Sequence, residues 1–356
     1  MKDSWKIILL ALICFVIGTS EFVIVGVLDR IALSANISIA HAGQLISVFA
    51  LTVSIGTPVA IYFTAGMNQR KLMMISLTLL TLSCVMMIVF STYPLYLFSR
   101  VIMALGVGVF NVLCFIVATK LAPVGKKGSA IATVTLGFNA ALILGLPVGR
   151  MVTGIFGWKA IFVFTAVLSL LAVFMVLKFI PAFEGEKPMK FKRQLRLMKN
   201  KSIMLSLLMS FFWISGYGVL YAYITPYLQH ETGMGDRMLS ITFLVFGIAT
   251  LVGNKTGGYL GDKIGIPKTI LIAMTINAFT LFLISALPSS INETFLLLVI
   301  WGFAAWLPGP LLRYSIISLA PESQGVILSL YNSILQLGLA VGAGLGGIII
   351  ENSGTG

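Results

Sequence analysis

The chain has 356 residues, of which 58% are hydrophobic and only 10% charged. Soluble domains carry about 25% charged residues, so a water-soluble globule is excluded. The net charge of +13 raises the question of nucleic acid, but the positions of the charges argue against it, as shown below.

A membrane-crossing helix needs roughly 20 mostly apolar residues. The chain supplies eleven such runs, near 6–28, 43–65, 72–90, 94–119, 130–155, 160–181, 203–228, 238–261, 269–287, 294–318 and 326–350. They are long and continuous rather than short and alternating, which predicts helices and not barrel strands. The first run is too long for a secretory signal, lacks a small-residue cleavage pattern and carries Glu21, so it is read as a helix. Cys14, Cys84 and Cys114 fall inside apolar runs with no metal-ligand spacing.

Basic residues collect on alternate loops. Lys2 and Lys6, Arg70 and Lys71, Lys120, Lys126 and Lys127, seven residues between 187 and 201, and Lys263 and Lys268 share one side. Arg30, Lys159 and Arg237 lie on the other. This asymmetry predicts a cytoplasmic N-terminus. The run KFKRQLRLMKNK (190–201) suits anionic headgroups, and nucleic acid is not an expected partner.

The polar stretch 182–202 divides six runs (1–181) from five (203–356). The halves echo one another at an offset of about 197, as duplicated transporter halves do. Gly56 falls on Gly253, Lys71 on Lys268, Asn139 on Gln336, Gly145 on Gly342 and Gly149 on Gly346; Asp29 falls on Pro226. The second half then lacks a counterpart of the sixth run, so a twelfth span is expected to be missing.

In the first run, GTSEFVIVG places Glu21 at bilayer depth. Intramembrane ionisable groups are costly and usually mark function. A carboxyl that gains and loses a proton near neutral pH is what proton coupling requires; a Glu21 permanently protonated and bonded to Thr19 is the structural alternative. Arg100 must face a cavity, snorkel outward or pair with an acid. Arg313 follows WLPGP, a broken-helix signal, and is a candidate for a polar or anionic substrate. Asn111, Asn139, Asn332 and Gln336 are candidates for a midplane hydrogen-bonding set. Trp213, Tyr217, Tyr221 and Trp301 are candidates for stacking on a flat ring, with Trp306 beside them; Tyr217 and Tyr221 share a helix face. Trp and Tyr are also common at membrane interfaces. Asp262 closes the eighth run, where a carboxylate is suited to a latch between the halves. Gly145, Pro147 and Gly149 read as packing and bending positions. There is no nucleophile arrangement, P-loop, metal site or cofactor motif, so an enzyme is not expected.

Together these features resemble the major facilitator superfamily. GGYLGDKIGIPK resembles its loop signature, filled by Gly258, Asp262, Lys263, Gly265 and Lys268; SRVIMALGVG, with Arg100, resembles its fourth helix. LGFNAALILGLPVGRMVTG is similar to the Gly/Pro-rich signature of exporters. GTSEFVIVG with SIAHAGQLISVFAL, LYAYITPYL and VIWGFAAW resembles the drug–proton antiporter branch that holds arabinose-efflux-type permeases and bacterial purine efflux pumps. Ala65 stands where the general signature has Asp, and Asp29 where proline is usual. The resemblance implies an all-α bundle of two pseudo-symmetric six-helix halves in the bacterial cytoplasmic membrane. It also implies a monomer whose partners are protons, lipid and a small-molecule substrate, and proton-coupled efflux of purine bases or nucleosides. Multidrug or sugar efflux, or an inactive truncated membrane protein, are the alternatives.

Overall fold

A computed structural model describes residues 4–64, 66–123, 127–185, 200–286, 290–319 and 324–352. Most of the basic run 190–201 therefore lies outside the described residues. Among the described residues, eleven segments are long and apolar enough to cross a membrane. Backbone polar groups have no water to bond in a bilayer core, so each run satisfies them internally as a helix. The spans, numbered in chain order, are Ser4–Gly26, Ile39–Thr64, Gln69–Val89, Tyr93–Leu121, Lys127–Phe156, Lys159–Phe179, Lys201–Tyr221, Asp236–Ile264, Ile266–Ala286, a broken tenth span (Ile291–Trp306 with Pro308–Ser318), and Gln324–Asn352.

Their ends follow local chemistry. Asn68 and Asn200 cap the third and seventh spans by accepting from Lys71 N and from Ser202 N and Ile203 N, satisfying otherwise orphaned donors. Gly265 takes φ +92° at the end of the eighth span, a backbone conformation costly for a residue with a Cβ. That gives this glycine of the GDKIG stretch a structural reason.

Two spans depart from the expected continuous runs. The first stops at Gly26, bends at Val27 (φ −129°, ψ 14°) and continues as a short helix, Leu28–Ala35. The seventh stops at Tyr221, bends at Tyr223 (φ −116°, ψ 14°) and continues as Ile224–Thr232. The two bends fall within one residue of repeat-equivalent positions, with nearly the same dihedral angles.

The repeat is also spatial. Spans 1 and 5 pack as spans 7 and 11 do, and spans 2 and 4 as spans 8 and 10 do. Glycines make these approaches possible. A Cβ on Gly149 would come within 2.2 Å of Val23 Cγ2, and one on its mate Gly346 within 2.6 Å of Val219 O. A Cβ on Gly56 would meet Leu105 at 2.8 Å, and one on Gly253 would meet the Phe303 carbonyl at 2.1 Å. Pro147 is buried inside the fifth span. Gly145 is less constrained: its Cβ would make only ordinary contact with Thr19, at 3.6 Å.

Candidate functional site

The bundle has two loop faces. The basic face carries Arg70, Lys71, Lys263 and Lys268. The far face carries the helices Leu28–Ala35 and Ile224–Thr232 and the start of span 8.

Glu21 lies in the first span and Gln336 in the eleventh. Gln336 Nε2 donates to Glu21 Oε1 at 3.1 Å. The bond joins the two halves near the middle of the bundle. The Thr19 hydroxyl donates to the Phe15 carbonyl of its own helix at 2.8 Å, so the side chain that donates to the Glu21 carboxyl comes from the other half. Glu21 and Gln336 are half-buried.

Beside this pair stands an aromatic wall. Tyr217 stacks on Tyr221 (centroids 4.7 Å apart) and on Trp301 (5.2 Å), and Trp301 stacks on Phe246 at 5.4 Å. Trp306 meets Tyr217 edge-on at 5.9 Å. The i, i+4 spacing of Tyr217 and Tyr221 puts both on one face of span 7, and span 10 supplies the tryptophans. Trp213 is anchored: its Nε1 donates to the Ala305 carbonyl at 2.7 Å.

Two polar atoms in this region, Trp301 Nε1 and Gln336 Oε1, are buried without a hydrogen-bond partner among the described residues, while the Tyr217 hydroxyl lies beside the Tyr221 hydroxyl and the Trp306 indole N–H. Leaving a buried polar group unpaired costs about 1–3 kcal/mol. A water or a polar solute beside Trp301 Nε1 and Gln336 Oε1 would satisfy them.

The other expected residues are distributed as follows. Arg313 is exposed on the second segment of the tenth span, with its guanidinium 5.9 Å from the Tyr331 ring. Asn332 is exposed, and Asn111 and Asn139 are half-buried. Arg100 is buried, with Nε donating to Leu45 O at 3.2 Å and Nη1 to Ser20 O at 3.4 Å. Its guanidinium lies 4.2 Å from the Phe49 ring. These contacts tie spans 1, 2 and 4 within one half, one residue from Glu21. Asp262, Lys263 and Lys268 are exposed at the basic face. A Cβ on Gly258 would meet nothing within 4 Å.

A second set of buried charges, not expected from the sequence, lies toward the far face. Arg150, near the far end of span 5, is wholly buried between Asp29 and Asp236, at 2.7 Å from each. An arginine inside an apolar run was a signal equal to Glu21. Asp29, standing where proline is usual, was another.

The sequence profile of the Major Facilitator Superfamily matches residues 10–354. The chain is 44% identical over 352 residues to the uncharacterized MFS-type transporter YbcL of Bacillus subtilis (strain 168), covering 99% of this chain and 90% of the relative. Among solved structures, it superposes on a bacterial homolog of the human lysosomal transporter Spinster with a TM-score of 0.77 at 19% identity, covering 99% of this chain and 85% of that one. A D-xylose–proton symporter gives 0.74 at 17% identity over 95% and 87% of the two chains. A mutant of the nucleoside transporter NupG gives 0.73 at 15% over 98% and 91%. At these identities the structures speak for the fold, while the profile and the relative speak for descent: the chain belongs to the Major Facilitator Superfamily, as an all-helical MFS-type transporter.

Proposed function

We propose that this protein exports small, flat organic solutes, with purine bases or nucleosides as the foremost candidates, in exchange for protons. The single observation that carries the reading is the Glu21–Gln336 bond across the halves beside a wall of stacked rings, where Trp301 Nε1 and Gln336 Oε1 are without partners among the described residues. The basic face is cytoplasmic in this reading, by the charge asymmetry of the loops.

Each part then has a role. Ionised Glu21 accepts a charge-assisted bond from Gln336, a stronger tie than a neutral carboxyl makes. Deprotonation thus favours the present arrangement, in which the proton has left to the cytoplasm. Protonation from outside weakens the tie and favours the alternative arrangement. The solute enters against Tyr217, Tyr221 and Trp301, its acceptors meeting the Trp and Tyr donors. Arg313, Asn332, Asn111 and Asn139 line its route. Arg100 holds the helix that carries Glu21. Asp262, with Lys263 and Lys268, latches the cytoplasmic side when that side closes. Proton and solute bias one equilibrium in opposite directions, which is exchange.

The test is gradient-driven accumulation of radiolabelled hypoxanthine and adenosine in inverted vesicles, with xylose as a sugar control. The parent is expected to accumulate a purine when the vesicle interior is acidified, and Glu21→Gln to lose that dependence. Equal gradient-driven uptake by both would remove Glu21 from the coupling path. Accumulation of xylose alone would overturn the substrate class.

A further inference from the structure

The far-face charges form a closed ring. Arg150 Nη1 donates to Asp29 Oδ1 at 2.7 Å and to the Gly26 carbonyl at 2.9 Å. Its Nη2 lies 2.7 Å from Asp236 Oδ1. Arg30 completes the ring, with Nη2 3.1 Å from Asp236 Oδ2 and Nε 3.5 Å from Asp29 Oδ2. The Gln229 amide, in the orientation that satisfies its neighbours, places its nitrogen 2.9 Å from Asp29 Oδ2 and its oxygen against Arg150 Nη2. Gly154, on the fifth span, lies against the Asp236 carboxylate: a Cβ there would make ordinary contact with Oδ2, at 3.5 Å.

Ownership of the charges is unequal. Asp29, Arg30 and Arg150 belong to the first half, and Asp236 belongs to the second. The ring as a whole is neutral, which is what allows a wholly buried guanidinium. Parting the halves separates a first-half group of net +1 from a single −1.

We propose that this ring is an electrostatic lock on the far face, and that Asp236 is its bolt. Arg150 keeps Asp29 and the Gly26 carbonyl whether or not Asp236 is present. The lock therefore opens without stranding an unpaired arginine, because only Asp236 and Gln229 leave, and they leave toward water. Asp29 has the opposite role. It shares Arg150 with Asp236 and so weakens the grip across the halves while making opening tolerable. The bends at Val27 and Tyr223 set Asp29 and Gln229 on short helices beyond the spans, facing each other. The lock does not depend on which solute or ion is carried.

The test uses a thiol placed in the seam between the halves, where Ser47 Oγ of span 2 stands 3.9 Å from the place of a Cβ on Gly344 of span 11. Ser47 Oγ, on the second span, is buried without a partner among the described residues. Ser47→Cys is labelled with a membrane-impermeant maleimide in intact cells and in inverted vesicles, and modified sites are read by mass spectrometry. Adding Asp236→Asn is expected to raise labelling from the far side at least tenfold. Arg30→Gln, which removes the more exposed partner, is expected to raise it two- to threefold. Asp29→Asn is expected to leave it unchanged or lower it. Cys14, Cys84 and Cys114 are buried inside the first half and serve as the control for unfolding.

Three results would overturn the lock. One is unchanged labelling in both Asp236→Asn and Arg30→Gln. Another is Asp29→Asn opening as widely as Asp236→Asn. The third is labelling of Cys14 or Cys114 in step with the introduced seam thiol, which would mean general loosening instead of a gate.

Discussion

The two faces of the bundle are held very differently. On the far face the halves interlock. Tyr223 Oη donates to the Ala343 carbonyl at 2.9 Å and sits where a Cβ on Gly43 would fall, only 1.9 Å away. The Thr225 hydroxyl donates to the Val25 carbonyl at 2.7 Å. The Arg150 ring caps the seam, and His41 lies 3.5 Å from Glu351 at its edge. Toward the middle the seam continues through Ile143 against Gly247, and through Ser54 donating to the Ser333 carbonyl at 2.7 Å. On the basic face, Tyr62, Phe63, Tyr259, Asp262, Lys263 and Lys268 are exposed. The lesson is that the far-face closure is made from specific contacts of a few small and charged residues, which makes it testable by changing single side chains.

The largest expected effect comes from blocking the far-face seam. Gly43→Leu puts a side chain where Tyr223 Oη lies. Overpacking costs about 1–3 kcal/mol, occasionally more, and about 3 kcal/mol shifts an equilibrium between two arrangements by roughly a hundredfold. Cross-linking of cysteine pairs across the far face should fall accordingly, with the melting temperature little changed.

Gly149→Leu sharpens the contrast, because its clash with Val23 lies inside one half. It should destabilise the fold by about 1–3 kcal/mol, read as a lower melting temperature in detergent, without changing which face is closed. If it alters far-face cross-linking as Gly43→Leu does, the halves are not the mechanical units described above.

Smaller effects follow. Ser54→Ala removes one bond across the midplane seam and should weaken closure by about 0.5–1.5 kcal/mol, a few-fold change in cross-linking. Asp262→Asn alters an exposed group and should change stability by no more than about 0.5 kcal/mol. If Asp262 is a latch used only in the other arrangement, the same substitution slows transport severely. Normal transport would remove it from the cycle.

Much of this was legible beforehand. Run length and continuity give the spans, because a bilayer leaves the backbone no alternative to a helix. The repeat was visible as glycines at one offset, and the structure shows why: those glycines stand where helices touch. Glu21, Gln336, Tyr217, Tyr221 and Trp301 were each identifiable as unusual residues at depth. That Gln336 reaches Glu21, and that the rings stack, are facts of tertiary packing that no local pattern carries. The bends at Val27 and Tyr223 were hidden because neither Gly nor Pro marks the bend itself. The Arg150 ring went unread because its members come from four separate elements, and only their meeting makes a buried arginine tolerable.

The most direct test of the account is whether Glu21 sets the balance between the faces. Spin labels at Tyr62 and Tyr259, exposed on the basic-face ends of spans 2 and 8, would report the separation of the halves by pulsed dipolar spectroscopy at acidic and alkaline pH. The account predicts a distance distribution that shifts with pH in the parent. In Glu21→Gln it predicts a distribution fixed at the parent's acidic form. A Glu21→Gln protein that shifts with pH as the parent does would contradict it.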